Sequence, residues 1–211
     1  LALGGGLELA LACDYRIGTK RTQFRFPETG IGIYPGLGGT QRTTRICGIE
    51  CARYSVLAGN FLDAPTARAL GLVTHLVDTS EVDSTILSLL GTKPENKYPG
   101  SPSDESSPVV AFASSFYSDP NMDSISSGEC PDGFDPNDKA VGRQLKLLSR
   151  CAPVALRMAS RLLDEAVRTG DDLDEGLSEE LEGLEGIFGT EDALEGLSAL
   201  IEGRKPEYVG K

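Results

Sequence analysis

The most constraining feature of this 211-residue chain is its opening, Leu1-Ala2-Leu3-Gly4-Gly5-Gly6, followed by Leu7-Glu8-Leu9-Ala10-Leu11-Ala12. An apolar tripeptide that runs into a glycine turn and then into a second apolar run reads as the end of a buried strand turning into a helix. Three consecutive glycines let the backbone pass close to a ligand and take dihedrals closed to other residues. The helix behind them points unpaired N–H groups back at the same spot, where developing negative charge is welcome. The first residues therefore read as the middle of a domain rather than its start.

Short strands are expected at Tyr15 to Gly18 and at Gln23 to Phe26, the second ended by Pro27-Glu28. The stretch Gly30 to Gly39 is too rich in glycine for regular structure and predicts a shaped loop, with Thr40-Gln41-Arg42 opening a helix. Further helices are predicted from Glu50 to Ala58 and from Pro65 to Leu70, with Asp63 as N-cap and Gly71 as stop, and Leu72 to Val77 reads as a strand. The composition then changes. Of the 48 residues from Gly91 to Asp138, 30 are Gly, Pro, Ser, Asp or Asn, including seven of the twelve prolines. That predicts loop or disorder, with a short ordered island at Val109 to Tyr117. Ala152 to Val167, Leu173 to Phe188 and Thr190 to Glu202 carry apolar positions at helical spacing. The chain thus divides into a core with the glycine segments (1–78), an insert rich in Pro, Ser and Gly (79–139) and a helical region (140–211).

Glu8 lies among apolar neighbours, so it sits either on a solvent stripe or in a site, because carboxylates are rarely buried without a partner. Glu28 follows a strand-ending proline and precedes a glycine loop, where a surface turn is the plain alternative. Two carboxylates facing one glycine-lined hole would suit general acid and base work on a single substrate. The glycine clusters lack the Gly-Lys-Ser/Thr of a phosphate loop, and Leu9 stands where a dinucleotide fingerprint needs its third glycine. Cys47 and Cys51 share a helical spacing, but His75 is the only histidine and sits in a strand pattern, which argues against a zinc site and against a Ser/His/Asp triad. No metal site is expected.

The net charge of −12 is regional. Between Asp164 and Glu195 there are thirteen acidic residues and one basic residue, which accounts for all of it, and such acidic helices read most simply as a solvated face. The segment Leu1 to Gly48 holds six basic and three acidic residues. The overall sign argues against a nucleic-acid backbone as partner. Five dispersed cysteines form no paired framework and read as reduced thiols of a cytoplasmic protein, and no apolar run is long enough to span a membrane.

The ordered set Leu1 to Ile17, then Phe26-Pro27-Glu28, then Pro35-Gly36-Leu37-Gly38-Gly39-Thr40-Gln41-Arg42 resembles the signature of the enoyl-CoA hydratase/isomerase (crotonase) family. The likeness continues more loosely through Ala67 to Val73, Ala152 to Leu156 and Thr190 to Gly196, so that roughly two thirds of the chain is covered. The resemblance implies an α/β, crotonase-like (ClpP/crotonase spiral) fold, here lacking its N-terminal strands, with a C-terminal helical region that assembles trimers or paired trimers. It implies hydration of a 2-enoyl-CoA thioester, with acyl-CoA as substrate and no cofactor, NAD entering only if a 3-hydroxyacyl-CoA dehydrogenase is fused upstream. Glu8 and Glu28 match the two catalytic glutamates, Gly5 the glycine whose N–H is half of the oxyanion hole, and Gly36 the loop glycine whose N–H helps to hold the water. The family's other oxyanion donor lies ahead of the glycine triplet, so the chain alone is expected to be inactive. Isomerisation of the double bond is the alternative within the family, and a non-catalytic module serving assembly is the alternative outside it.

Overall fold

A computed structural model describes residues 1–211. Its five strands are only two or three residues long, and helices make up most of the rest. Strand β1 (Ala2–Leu3) leads through Gly4 into helix α1 (Gly5–Ala12), and β2 (Ile17–Gly18) and β3 (Gln23–Arg25) follow. A 3-10 turn at Glu28–Ile31 and the glycine loop precede α2 (Gly39–Cys47), α3 (Ile49–Val56), β4 (Leu62–Asp63), α4 (Ala64–Ala69) and β5 (His75–Leu76). One sheet has the order β1-β3-β4, with β1 and β3 parallel and β4 antiparallel to β3, while β2 and β5 pair in parallel. Asp63 caps α4 through the Thr66 N–H at 3.0 Å, as its position predicts. Regular strand from Leu72 to Val77 shrinks to two residues, because β2, its only partner, offers no more.

Helix α2 lies at the centre although it is polar. Its Thr40, Gln41, Thr43, Thr44 and Arg45 are all buried. Burying such groups is costly unless they are hydrogen-bonded, and all but the Thr43 hydroxyl find a partner. Gln41 Nε2 donates to the Leu162 carbonyl at 2.8 Å, and Arg45 reaches the Thr169 hydroxyl at 2.7 Å and the Gly170 carbonyl at 2.9 Å. These partners lie in and just beyond α9 (Pro153–Arg168), which packs along α2.

The segment expected to be largely loop is more ordered than its composition suggests. It holds α5 (Val82–Leu89), α6 (Pro108–Phe116) and α7 (Met122–Ser126), and α8 (Lys139–Leu148) follows it. The expected island at Val109 to Tyr117 is α6, and Phe116 and Tyr117 are fully buried in the core. Pro108 fits this helix because it occupies the first turn of α6, where its missing N–H costs nothing. Arg53 pins the segment down, pairing with Asp119 and Asp164 at 2.7 Å each and donating to the Tyr117 carbonyl at 3.0 Å. The helix predicted from Leu173 to Phe188 is two, α10 (Leu173–Glu182) and α11 (Leu184–Phe188), parted at Gly183. A Cβ there would stand 2.6 Å from the Tyr34 hydroxyl. Helix α12 (Glu191–Glu202), capped by Thr190, ends the helical region. No helix is long and apolar enough to cross a membrane.

Candidate active site

The register of β1 on β3 determines what meets at their ends. Leu3 pairs with Arg25 in parallel, and Gly4 N–H donates to the Arg25 carbonyl at 3.0 Å, so both strands terminate at one level. The carboxyl ends of adjacent parallel strands are where α/β folds hold ligands. Gly4 and the Pro27-Glu28 turn therefore lie side by side. Gly4 has φ +50°, and a Cβ there would fall 2.6 Å from Glu28 Oε1, so both the turn and the seat of the carboxylate require glycine.

Glu8 arrives from α1. Leu7 and Leu11 bury one side of this short helix, and Glu8, next to Leu7, goes in with them at 2% exposure; the solvent-stripe reading does not hold. Its Oε1 accepts the N–H groups of Leu37 and Gly39, both at 2.8 Å, at the start of α2. The bare Gly39 Cα permits that approach, since a Cβ would come within 2.6 Å of Oε1. Oε2 makes neither of these bonds and lies on the Gly5 side. The amides of Gly5 and Gly6 open α1 ahead of its first intrahelical bonds, with Leu7 and Glu8 N–H already donating to the Gly4 carbonyl. Glu8, Glu28, Gly5 and the glycine loop are thus gathered at one place. The loop amides that engage Glu8 are those of Leu37 and Gly39; the N–H of Gly36 bonds no group of the chain, and Leu184 packs over Gly36.

The two carboxylates differ in kind. Burial raises the Glu8 pKa above the usual carboxylate value, and the Leu37 and Gly39 amides and Arg42 draw it back. Burial pushes Glu28 up to about 7; its own backbone N–H and Arg25 oppose this, and the charge of Glu8 adds to it. Glu28 Oε2 is buried without a partner. Such an orphan is costly unless the group carries a proton or meets a ligand.

Sequence reasoning missed a third buried carboxylate. Glu180 of α10, 1% exposed, accepts hydrogen bonds from Gly38 N–H, from Thr40 N–H and from the Thr40 hydroxyl. Burial pushes it up to about 7, with Thr40 and Gly38 opposing and Glu8 adding to the rise. One of thirteen acids in a charged stretch, it gave no signal in the pattern. His75 stacks edge-on against Tyr15 in the small β2–β5 sheet, and Cys47 and Cys51 are buried with thiols raised by desolvation, Cys51 to about 12. A cavity of about 540 Å³ beside the Glu28 turn, lined by Thr29, Gly30, Arg150 and Cys151 among others, contains neither Glu8 nor Glu28.

The whole arrangement is similar in fold to a carnitinyl-CoA dehydratase from Mycobacterium thermoresistibile, with a TM-score of 0.76 at 20% identity over 98% of this chain and 60% of that one. The sequence model for enoyl-CoA hydratase/isomerase matches residues 1–209, and the chain belongs to that family. It is 30% identical over 209 residues to the probable enoyl-CoA hydratase 2, mitochondrial, of Arabidopsis thaliana, a match over 99% of this chain and 50% of that protein. It is 29% identical over 210 residues to the crotonyl-CoA hydratase of Syntrophomonas wolfei, a match over 100% of this chain and 59% of that protein. The chain spans between half and three fifths of the length of these relatives.

Proposed function

We propose that this chain supplies the paired carboxylates and one oxyanion donor for the reversible addition of water to a 2-enoyl-CoA thioester. The observation that carries the reading is the asymmetry of the pair, one oxygen of Glu8 anchored by two amides while Oε2 of Glu28 is buried without a partner and burial pushes that carboxyl up to about 7. Water attacks the β carbon while Oε2 of Glu8 takes its proton. The electron pair of the double bond moves to the thioester oxygen, giving an enolate. Glu28, protonated, then delivers a proton to the α carbon and the carbonyl re-forms. Preorganised N–H donors at the enolate oxygen are worth about 100 to 1,000-fold in rate each, and the free Gly5 amide is the donor this chain provides. No electrons are gained or lost overall, so the chemistry calls for no redox cofactor.

The activity is proposed for the family domain as a whole, with acyl-CoA as substrate. Its test is hydration of crotonyl-CoA by the natural protein that contains these residues, with Glu8→Gln and Glu28→Gln each expected to lower kcat by about 10²- to 10⁴-fold. Retention of the parental rate by Glu8→Gln would overturn the assignment. Double-bond migration needs only one proton-shuttling carboxylate, so loss of hydration with much of the migration kept would make the protein an isomerase. We also propose that α9–α12 mediate a trimer or paired trimer. They pack on their own chain, yet leave Phe188, Leu194, Leu200 and Ile201 exposed at 52, 70, 62 and 86%. Sedimentation equilibrium reads that directly. The five free thiols suit a reducing compartment, the cytoplasm in our reading.

A further inference from the structure

Four successive residues at the start of α2 present their N–H groups to two carboxylates in alternation. Leu37 and Gly39 donate to Glu8, and Gly38 and Thr40 donate to Glu180. Glu8 holds the turn through one oxygen only, with both amides on Oε1, so that by itself it leaves the turn free to pivot about a single atom. Glu180 uses both oxygens on two alternate residues, Oε1 on Gly38 and Oε2 on the amide and hydroxyl of Thr40. That removes the pivot. The helix carrying Glu180 is held to the same loop independently, since the Tyr34 hydroxyl donates to the Glu180 carbonyl at 2.7 Å and Leu177 packs against Gly38. Two carboxyl groups at one helix start are tolerable because the first turn offers donors without intrahelical partners and the positive end of the dipole.

We infer that Glu180, from the acidic C-terminal helices, is a positioning residue for Glu8: it sets the turn whose Leu37 and Gly39 amides anchor Oε1 and thereby aim Oε2 into the site. The inference rests on the hydratase reading only for its consequence in catalysis. The placement of the turn can be tested without it.

Amide hydrogen exchange on the 211-residue chain gives the first arm. In Glu180→Ala the amides of Leu37 and Gly39, which do not touch Glu180, should exchange about ten-fold faster or more, and Glu180→Gln should give a smaller change, while remote amides such as Leu57 and Leu70 keep their protection. Kinetics of the natural protein give the second arm. Glu180→Ala should lower kcat by about ten- to a hundred-fold with KM changed little, and should cost little more in a Glu8→Gln background. Unchanged exchange at Leu37 and Gly39, or losses from Glu180→Ala and Glu8→Gln that simply multiply, would overturn the inference. So would failure of both the Ala and the Gln variants to fold, which would make Glu180 a residue of the fold at large. An inactive natural protein with the expected exchange pattern would instead count against the hydratase reading alone.

Discussion

From Ala2 to Gly39 the groups that shape the site are mostly backbone: glycines that admit a carboxylate where a methyl group would collide, and amides without intrahelical partners at the starts of α1 and α2. In α9 to α12 side chains and helix surfaces do the shaping, through Glu180 on the α2 turn, Leu184 over Gly36, and Gly196 against the Ile31 carbonyl. The first region brings charge in and the second holds the frame still. Substitutions in the first should therefore be felt in chemistry, and those in the second mainly in stability, with Glu180 crossing the line.

Apart from loss of a catalytic carboxylate, the largest expected effect breaks the first region. Gly39→Ala places a Cβ 2.6 Å from both Glu8 Oε1 and Pro35, and should lower kcat by about 100-fold in the natural protein while destabilising it by about 1–3 kcal/mol, as steady-state kinetics and urea unfolding would show. Next comes a pH dependence shared by both regions. Glu28 and Glu180 each move from about 4.5 to about 7 on folding. Between those values the native state keeps protons the unfolded chain has lost, so stability should fall by up to a few kcal/mol as pH rises from 4.5 to 7. Glu195, pushed down to about 2 by Arg204, acts in the opposite sense below 4.5, as stability is lost when it protonates. Urea midpoints across pH 3 to 8 should peak between these windows, and Glu28→Gln and Glu180→Gln should each flatten the upper limb. In the second region alone, Thr190→Ala removes the cap on the Ala193 N–H and should cost about 1 kcal/mol with kcat unchanged. Gly186→Ala meets nothing within 4 Å inside a helix and should stabilise by about 0.5–1 kcal/mol, seen as a small rise in Tm.

How far this was legible follows from what each residue depends on. Glu8 and Glu28 stand beside glycine turns that signal a site, and their meeting follows from two parallel strands ending level. The helix starts at Asp63 and Thr190 and the Gly71 stop are local signals and lie where they were expected. Glu180 was hidden because burial of one acid among many is decided by which face of α10 meets the α2 turn, a tertiary fact. The insert misled outside its expected island, because Ser and Pro counts describe solvation, whereas Met122–Ser126 forms α7 with Ile125 buried and Phe134 packs edge-on against Phe116.

The pairing of Gly38 and Thr40 with Glu180 joins positions some 140 residues apart. Contacts of such separation pay their loop-closure entropy before they return any stabilisation, and they slow folding. The clamp on the turn that receives Glu8 therefore cannot close until α10 has been added, although the turn's own residues lie within the first fifth of the chain. A nascent segment ending between α2 and α10 would carry both proposed catalytic carboxylates and still lack the clamp that orders them.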